Sequence, residues 1–178
     1  MKMILCVVLI GMGYSAPAQL IGKAFPAMEA ETINDKKIKL PDSVLGKYSL
    51  LGLAYSKKAE DELMTWFEPI FNKFVYKSEG LMKDFGHDVN VFFIPMFTGV
   101  NAAAAGTVKR KALKQVDPLL LPYILFYKGQ LKPYKEALNF DEREVPYFFV
   151  LNAKGVIVYA TQGKFTETKF EEIEAVLE

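Results

Sequence analysis

Across its 178 residues the chain has one cysteine, Cys6, one histidine, His87, and one tryptophan, Trp66. A lone cysteine can form neither an internal disulfide nor a Cys-x-x-Cys pair, and Cys6 lies in an apolar N-terminal stretch that export would discard. Removal of that stretch leaves no thiolate, which excludes thiol–disulfide exchange and thiol-based peroxide reduction in the remaining chain. Zinc and copper sites draw on several nitrogen or sulfur ligands, so one histidine gives no basis for such a site, and His87 in Gly86-His87-Asp88 reads as a turn residue. A serine hydrolase would need the same histidine as its base and a Gly-x-Ser-x-Gly elbow that is missing. The Asp-x-Asp-x-Asp-Gly spacing of a calcium loop is missing too. Gly99, Gly106 and Gly129 are isolated, so there is neither a phosphate loop nor a dinucleotide fingerprint. No cofactor and no metal are indicated.

Charge of one sign is also lacking: Lys and Arg total 22 against 21 Asp and Glu. No global field draws the chain to nucleic acid. Long apolar runs are absent as well. The longest, Met3 to Met12, is too short to span a bilayer comfortably; it follows Lys2 and precedes Ala16-Pro17-Ala18, a small-x-small cleavage pattern. Residues 1–18 therefore read as a secretory signal, with a mature start at Gln19 and a periplasmic or secreted destination, ahead of an uncleaved anchor. Residues 19–178 have the length of one domain. With 51% hydrophobic and 13% aromatic residues, that domain can be stabilised by packing without disulfides.

Apolar and β-branched runs mark strands at 50–55, 89–94, 147–151 and 156–159, with another at 123–127. Their nearly continuous hydrophobicity suits strands covered on both faces. The pair flanking Asn152-Ala153-Lys154-Gly155 reads as an antiparallel hairpin. Between strands, Leu63, Trp66, Phe67, Ile70, Phe71 and Phe74 recur at spacings of three and four and form one helical face. Glu60, Asp61 and Glu62 favour the start of that helix, and Pro69 should kink it. These aromatic residues are expected to pack on Leu51, Leu53, Phe92 and Phe149. A second helix is expected over 102–116, with Ala105, Val108, Ala112 and Val116 inward and Thr107, Arg110, Lys111 and Lys114 outward; Asp117-Pro118 stops it. A third should start at Thr168, which forms a capping box with Glu171 and buries Phe170, Ile173, Val176 and Leu177. Strand and helix alternating before a terminal hairpin imply an α/β fold with a mixed sheet between helices.

Three stretches resemble the thioredoxin-like superfamily, in its exported thioredoxin and peroxiredoxin-like branch. Ile21 to Pro26, Lys37 to Leu40 and Gly46 to Leu51 are similar to that branch's opening, a short N-terminal hairpin leading into the first core strand. The helix over 60–76 corresponds to the family's active-site helix. Glu144 to Gly163 resembles the closing hairpin, with Val145-Pro146 at the position of the family's cis-proline; an ordinary trans proline at the first residue of a strand is the alternative. The resemblance places the family's dithiol at Lys58-Ala59-Glu60-Asp61, or at Asp61-Glu62-Leu63-Met64 if Pro69 is matched to the family's helix proline. Neither has a sulfur nucleophile. A narrower similarity, through Trp66, Pro69, Phe71 and Tyr159 to Gly163, is to thioredoxin-like assembly factors of the mitochondrial ATP synthase, which also lack the dithiol.

The resemblance thus implies a redox-inactive member that binds a protein or peptide, chaperone-like or in assembly, in a bacterial envelope. Its expected groove is Tyr55, Ser56, Lys57, Lys58, Glu60 and Asp61 facing Val145, Pro146 and Tyr147, open and rimmed by the two tyrosines, where an extended peptide could pair by its main chain. The competing reading is an enzyme with non-thiol chemistry at the same helix terminus, using Ser56 with Lys57 or Lys58 as base, or the nearby carboxylates. Arg110, Lys111 and Lys114 share a helix face that could dock on an anionic partner or lipid headgroups; a solvated face is the plainer reading.

Overall fold

In the computed structural model, residues 19–76 and 88–177 are described; the leader, Cys6 and His87 lie outside them. Seven strands form one mixed sheet: β1 (Met28–Glu31), β2 (Lys37–Leu40), β3 (Tyr48–Ala54), β4 (Val89–Thr98), β5 (Phe126–Gly129), β6 (Tyr147–Leu151) and β7 (Ile157–Gln162), in the order β2-β1-β5-β4-β3-β6-β7. β3 and β4 run parallel at the centre, as do β4 and β5, whereas β6 is antiparallel to β3 and to β7. The N-terminal hairpin β1–β2 forms as expected and extends the sheet through an antiparallel pairing of β1 with β5. The closing hairpin turns at Gly155, whose φ of +74° is a conformation glycine adopts without strain.

Among the described residues, five α-helices accompany the sheet: α1 (Lys57–Leu63), α2 (Phe67–Ile70), α3 (Ala105–Gln115), α4 (Lys132–Leu138) and α5 (Glu167–Leu177). The expected helix over 60–76 begins earlier and changes winding. Between α1 and α2 lies a 3₁₀ turn, Met64–Trp66, and after α2 a π-helical turn, Phe71–Val75. Pro69 sits within α2, where it has no N–H to offer the carbonyl one turn back. The second expected helix is 3₁₀ over Gly99–Ala104 and α-helical only from Ala105. α5 starts at Glu167, and the hydroxyl of Thr166, rather than Thr168, accepts the Lys169 N–H at 3.4 Å. The expected capping box is displaced: Thr168 lies inside the helix, so its backbone is already committed there.

Each face of the sheet carries its own apolar layer. On one, Leu50, Val91, Phe93, Phe126, Phe148 and Val150 meet Leu63, Trp66, Phe67, Ile70 and Phe74, together with Phe170 and Ile173 of α5. On the other, Leu51, Leu53, Ile94 and Phe149 meet the N-terminal segment at Phe25 and Met28, and Tyr134, Leu138 and Phe140 from α4 and the residues after it. The aromatic helix therefore packs on the face opposite to the one expected. Trp66 lies against Phe148 (ring centroids 4.3 Å apart) and Phe67 against Phe93 (3.8 Å), while Leu51, Leu53 and Phe149 belong to the other layer. A strand apolar on both faces carries no alternation, so its parity cannot be read from the sequence. Phe71, expected inside, is only half-buried and meets Tyr76 and Tyr123 edge-on.

The buried polar side chain Ser49 is matched by Asn90, whose amide also donates to the Val44 carbonyl. Buried polar groups cost stability unless paired, and this pair ties β3 to β4.

Candidate functional site

The chain leaves β3 at Ala54 and enters α1 at Lys57, with Tyr55 and Ser56 as the connection. Gly52 makes this junction tight: a Cβ there would lie 2.6 Å from Cε1 of Phe148 and 3.0 Å from Cδ1 of Leu63. Only a residue without a side chain lets α1 sit so close to the sheet. Ser56 is extended (φ −144°, ψ 160°), and its hydroxyl accepts the Ala59 N–H at 3.1 Å, the ordinary N-cap geometry. Lys58-Ala59-Glu60-Asp61 thus occupies the start of α1, and Asp61-Glu62-Leu63-Met64 follows it toward the helix end. The first of the two expected registers is the one at the positive end of the helix.

Two lysines flank that end, and both are engaged. Lys57 Nζ lies 2.6 Å from Asp61 Oδ1, and Lys58 Nζ lies 2.8 Å from Glu144 Oε2, on the segment leading into β6. Hydrogen bonding to Asp61 raises the Lys57 pKa and hydrogen bonding to Glu144 raises that of Lys58; the same contact with Lys58 lowers the pKa of Glu144. Glu60 is half-buried, and desolvation raises its pKa against the opposing effect of Lys57.

Tyr55 and Tyr147, close in the chain to these residues, belong to a buried aromatic cluster. Tyr55 stacks on both Phe140 (5.4 Å) and Tyr147 (6.3 Å), whose own rings are 4.5 Å apart. The Tyr55 hydroxyl donates to the Glu142 carbonyl at 2.8 Å. The Tyr147 hydroxyl accepts the Glu142 N–H at 2.7 Å and donates to the Glu142 carbonyl at 2.9 Å. Burial raises the pKa of both phenols, so they stay protonated as donors. Tyr55 and Tyr147 are 6% and 3% exposed, so they do not rim an open groove as expected. They lie inside, because their rings find apolar cover and their hydroxyls find partners on the Glu142 backbone.

The expected cis bond is likewise corrected. Among the described residues the cis peptide is Leu40–Pro41, and Val145–Pro146 is trans. Pro146 directly precedes β6, where a missing N–H breaks no strand pairing, and its carbonyl accepts the Gly163 N–H at 2.8 Å. The structure still brings the two halves of the expected site together, through the Lys58–Glu144 pair and the Tyr55–Tyr147 stack. Glu142, Phe140 and Gln162, whose amide reaches Glu142 Oε1 at 3.2 Å, were not anticipated. No spacing in the sequence points to them, since they meet the site only through the fold.

The docking residues lie elsewhere. Arg110, Lys111 and Lys114 are exposed on the outer side of α3, with Arg110 donating to Thr107. Val108, Ala112 and Val116 pack inward as expected. Lys109 differs from its neighbours: its side chain is 12% exposed and its ammonium bridges Glu31 (2.8 Å) and Asp35 (2.7 Å) above the Phe126 ring.

No protein-family model matches the chain, and no curated protein matches it by sequence. Solved structures do. Yeast Sco1 with copper bound shares 16% identity at a TM-score of 0.53, over 89% of this chain and 92% of that one. The exposed lipoprotein thioredoxin Etrx1 of Streptococcus pneumoniae shares 14% at a TM-score of 0.56, over 85% and 98%. BsSco, a member of the Sco family of cytochrome c oxidase assembly proteins, shares 11% at 0.57, over 88% and 92%. The fold is thioredoxin-like. At these identities the likeness extends to the fold alone, and this chain has one cysteine in all. Among the described residues, no three His, Cys, Asp or Glu side chains are grouped as a metal ion would require.

Proposed function

We propose that this protein is a redox-inactive thioredoxin-like module that works by binding a protein or peptide, in a chaperone-like or assembly role in the cell envelope. The contact face is the start of α1 together with residues 142–147. The observation that carries this reading is the state of the α1 terminus. Where a thioredoxin-like enzyme needs a thiolate, Ser56 serves as a cap and Lys57 and Lys58 hold carboxylates.

The same geometry speaks against non-thiol catalysis there. A lysine acting as base needs its pKa brought down toward neutrality, whereas both lysines are pushed up by their partners. The Ser56 hydroxyl is bound to backbone rather than to either amine.

Binding is well served by this arrangement. The Lys58–Glu144 pair is more than 60% exposed on both sides, and an exposed ion pair contributes only about 0–1 kcal/mol. A partner carrying its own acid and base can exchange with it at little cost, beside the aromatic cluster of Tyr55, Phe140 and Tyr147. An assembly role also has an analogy on the same fold in BsSco, whose family is described as one of assembly proteins.

The test is site-specific photocrosslinking in cells that express the protein. A crosslinker at Lys57 or at Glu144 is expected to capture the same partner, and one at Lys154, in the β6–β7 turn at the far end of the sheet, none. Capture from Lys154 alone, or different partners from Lys57 and Glu144, would refute the assignment of the face.

A further inference from the structure

Helix α3 holds a second surface, distinct from the face proposed above. Of its eleven residues, Ala-Gly-Thr-Val-Lys-Arg-Lys-Ala-Leu-Lys-Gln, four are cationic and none is acidic. Solvated helices of globular proteins usually interleave both signs as i, i+4 pairs. Here the inward cation, Lys109, is neutralised by Glu31 and Asp35, so those two carboxylates are already engaged. Arg110, Lys111 and Lys114 point outward, and the one acid next to them in the chain, Asp117, accepts the Leu119 N–H. Leu113 lies on the same exposed side, 54% exposed, and Leu119, just past the helix, is 55% exposed. A solvated face does not need two bare leucines beside three cations.

We infer that α3 and the residues to Leu119 form a peripheral docking surface for an anionic lipid bilayer, with Arg110, Lys111 and Lys114 at the headgroups and Leu113 and Leu119 at the acyl boundary. Charge complementarity chooses the occupant, and the leucines choose lipid over a purely polar polyanion: cations on one side of a helix with apolar side chains beside them suit the interface of a bilayer. The net charge of the chain is only +1, so attraction acts locally, within a Debye length of the surface. Among the described residues no helix is long and apolar enough to cross a membrane, and the contact is one of lying on the surface.

Sedimentation with vesicles tests this. The full chain is mixed with vesicles of phosphatidylcholine alone or with about one third phosphatidylglycerol, and all variants share the same N-terminus so that residues 1–18 contribute equally. Binding should be stronger to the anionic vesicles and weaken with salt. Each cation near an anionic surface changes partitioning about fivefold, so Arg110→Gln, Lys111→Gln and Lys114→Gln together should lower it about a hundredfold and abolish the salt dependence. Leu113→Ser with Leu119→Ser should lower binding while leaving the salt slope in place. Circular dichroism of each variant verifies folding, and Lys154→Gln, a surface lysine remote from α3, should bind as the parent does. The inference is overturned by equal binding to both vesicle types, by unchanged binding of the triple variant, or by binding to soluble polyglutamate as tight as to the vesicles and indifferent to the two leucines.

Discussion

Replacing Gly52 by Ala should destabilise the domain although it adds only one methyl group. Gly52 lies in β3 opposite Phe148 of β6, and the new Cβ would sit 2.6 Å from Cε1 and 3.1 Å from Cζ of that ring and 3.0 Å from Leu63 Cδ1. The ring cannot retreat: Phe148 is fully buried and backed by Trp66 at 4.3 Å. Overpacking of a filled core costs about 1–3 kcal/mol. Loss of the glycine's freedom in the unfolded chain offsets about 0.4–1 kcal/mol, so the mid-range values leave a net loss of about 1.3 kcal/mol. With a urea m-value of about 2 kcal/mol/M, the midpoint should fall by about 0.5–1 M, read from the fluorescence of the single tryptophan, Trp66. Gly106→Ala is the control: it is exposed at the start of α3, the nearest atom to its Cβ is Arg110 Nη1 at 3.9 Å, and it should stabilise by up to about 1 kcal/mol. A Gly52→Ala variant as stable as the parent would mean that α1 does not rest on the sheet as described, and with it the position of the candidate site.

Phe74→Ala should cost about 3–5 kcal/mol, as expected for a phenylalanine 1% exposed, whereas Phe71→Ala, half-buried against Tyr76 and Tyr123, should cost about 1–2 kcal/mol; equal losses in urea denaturation would contradict the register of the π-helical turn. Glu60→Gln should raise the melting temperature near neutral pH. Burial lifts the folded pKa of Glu60 above its unfolded value, so the protonated form contributes stability that is present below the unfolded pKa and lost as pH rises through the folded pKa. The difference between variant and parent should therefore shrink in acid, where the parent carboxyl is also neutral. A constant difference across pH would mean that the carboxylate is not desolvated.

The fold was legible where the sequence carries signals tied to backbone geometry. The Asn152-Ala153-Lys154-Gly155 turn marks the closing hairpin, and the three-and-four spacing from Leu63 to Phe74 marks the aromatic helix. Parity was not legible, because strands such as Leu50-Leu51-Gly52-Leu53 are apolar on both faces, and the helix was assigned to Leu51 and Phe149 when it rests on Leu50 and Phe148. α4 carries no legible signal, because its seven residues, Lys132–Leu138, are too few to display a helical period. The residues expected at the candidate site lie next to the starts of α1 and β6, two segments that the fold brings together. The burial of Tyr55 and Tyr147 was not legible, since it depends on Phe140 and Glu142, which meet them only after folding. The trans geometry of Val145–Pro146 escaped for a similar reason: a proline before a strand suits either isomer, and the chain around it decides.

The proposed loss of thiol–disulfide chemistry from this thioredoxin-like fold follows from the start of α1, which has no cysteine. Its most direct test is turnover of insulin disulfides by the purified chain in the presence of dithiothreitol. The rate should equal that of a heat-inactivated control, and Cys6→Ser should leave it unchanged, because the start of α1 holds Lys58, Ala59, Glu60 and Asp61 where a thiolate would have to stand. Catalytic reduction above that control would contradict the account.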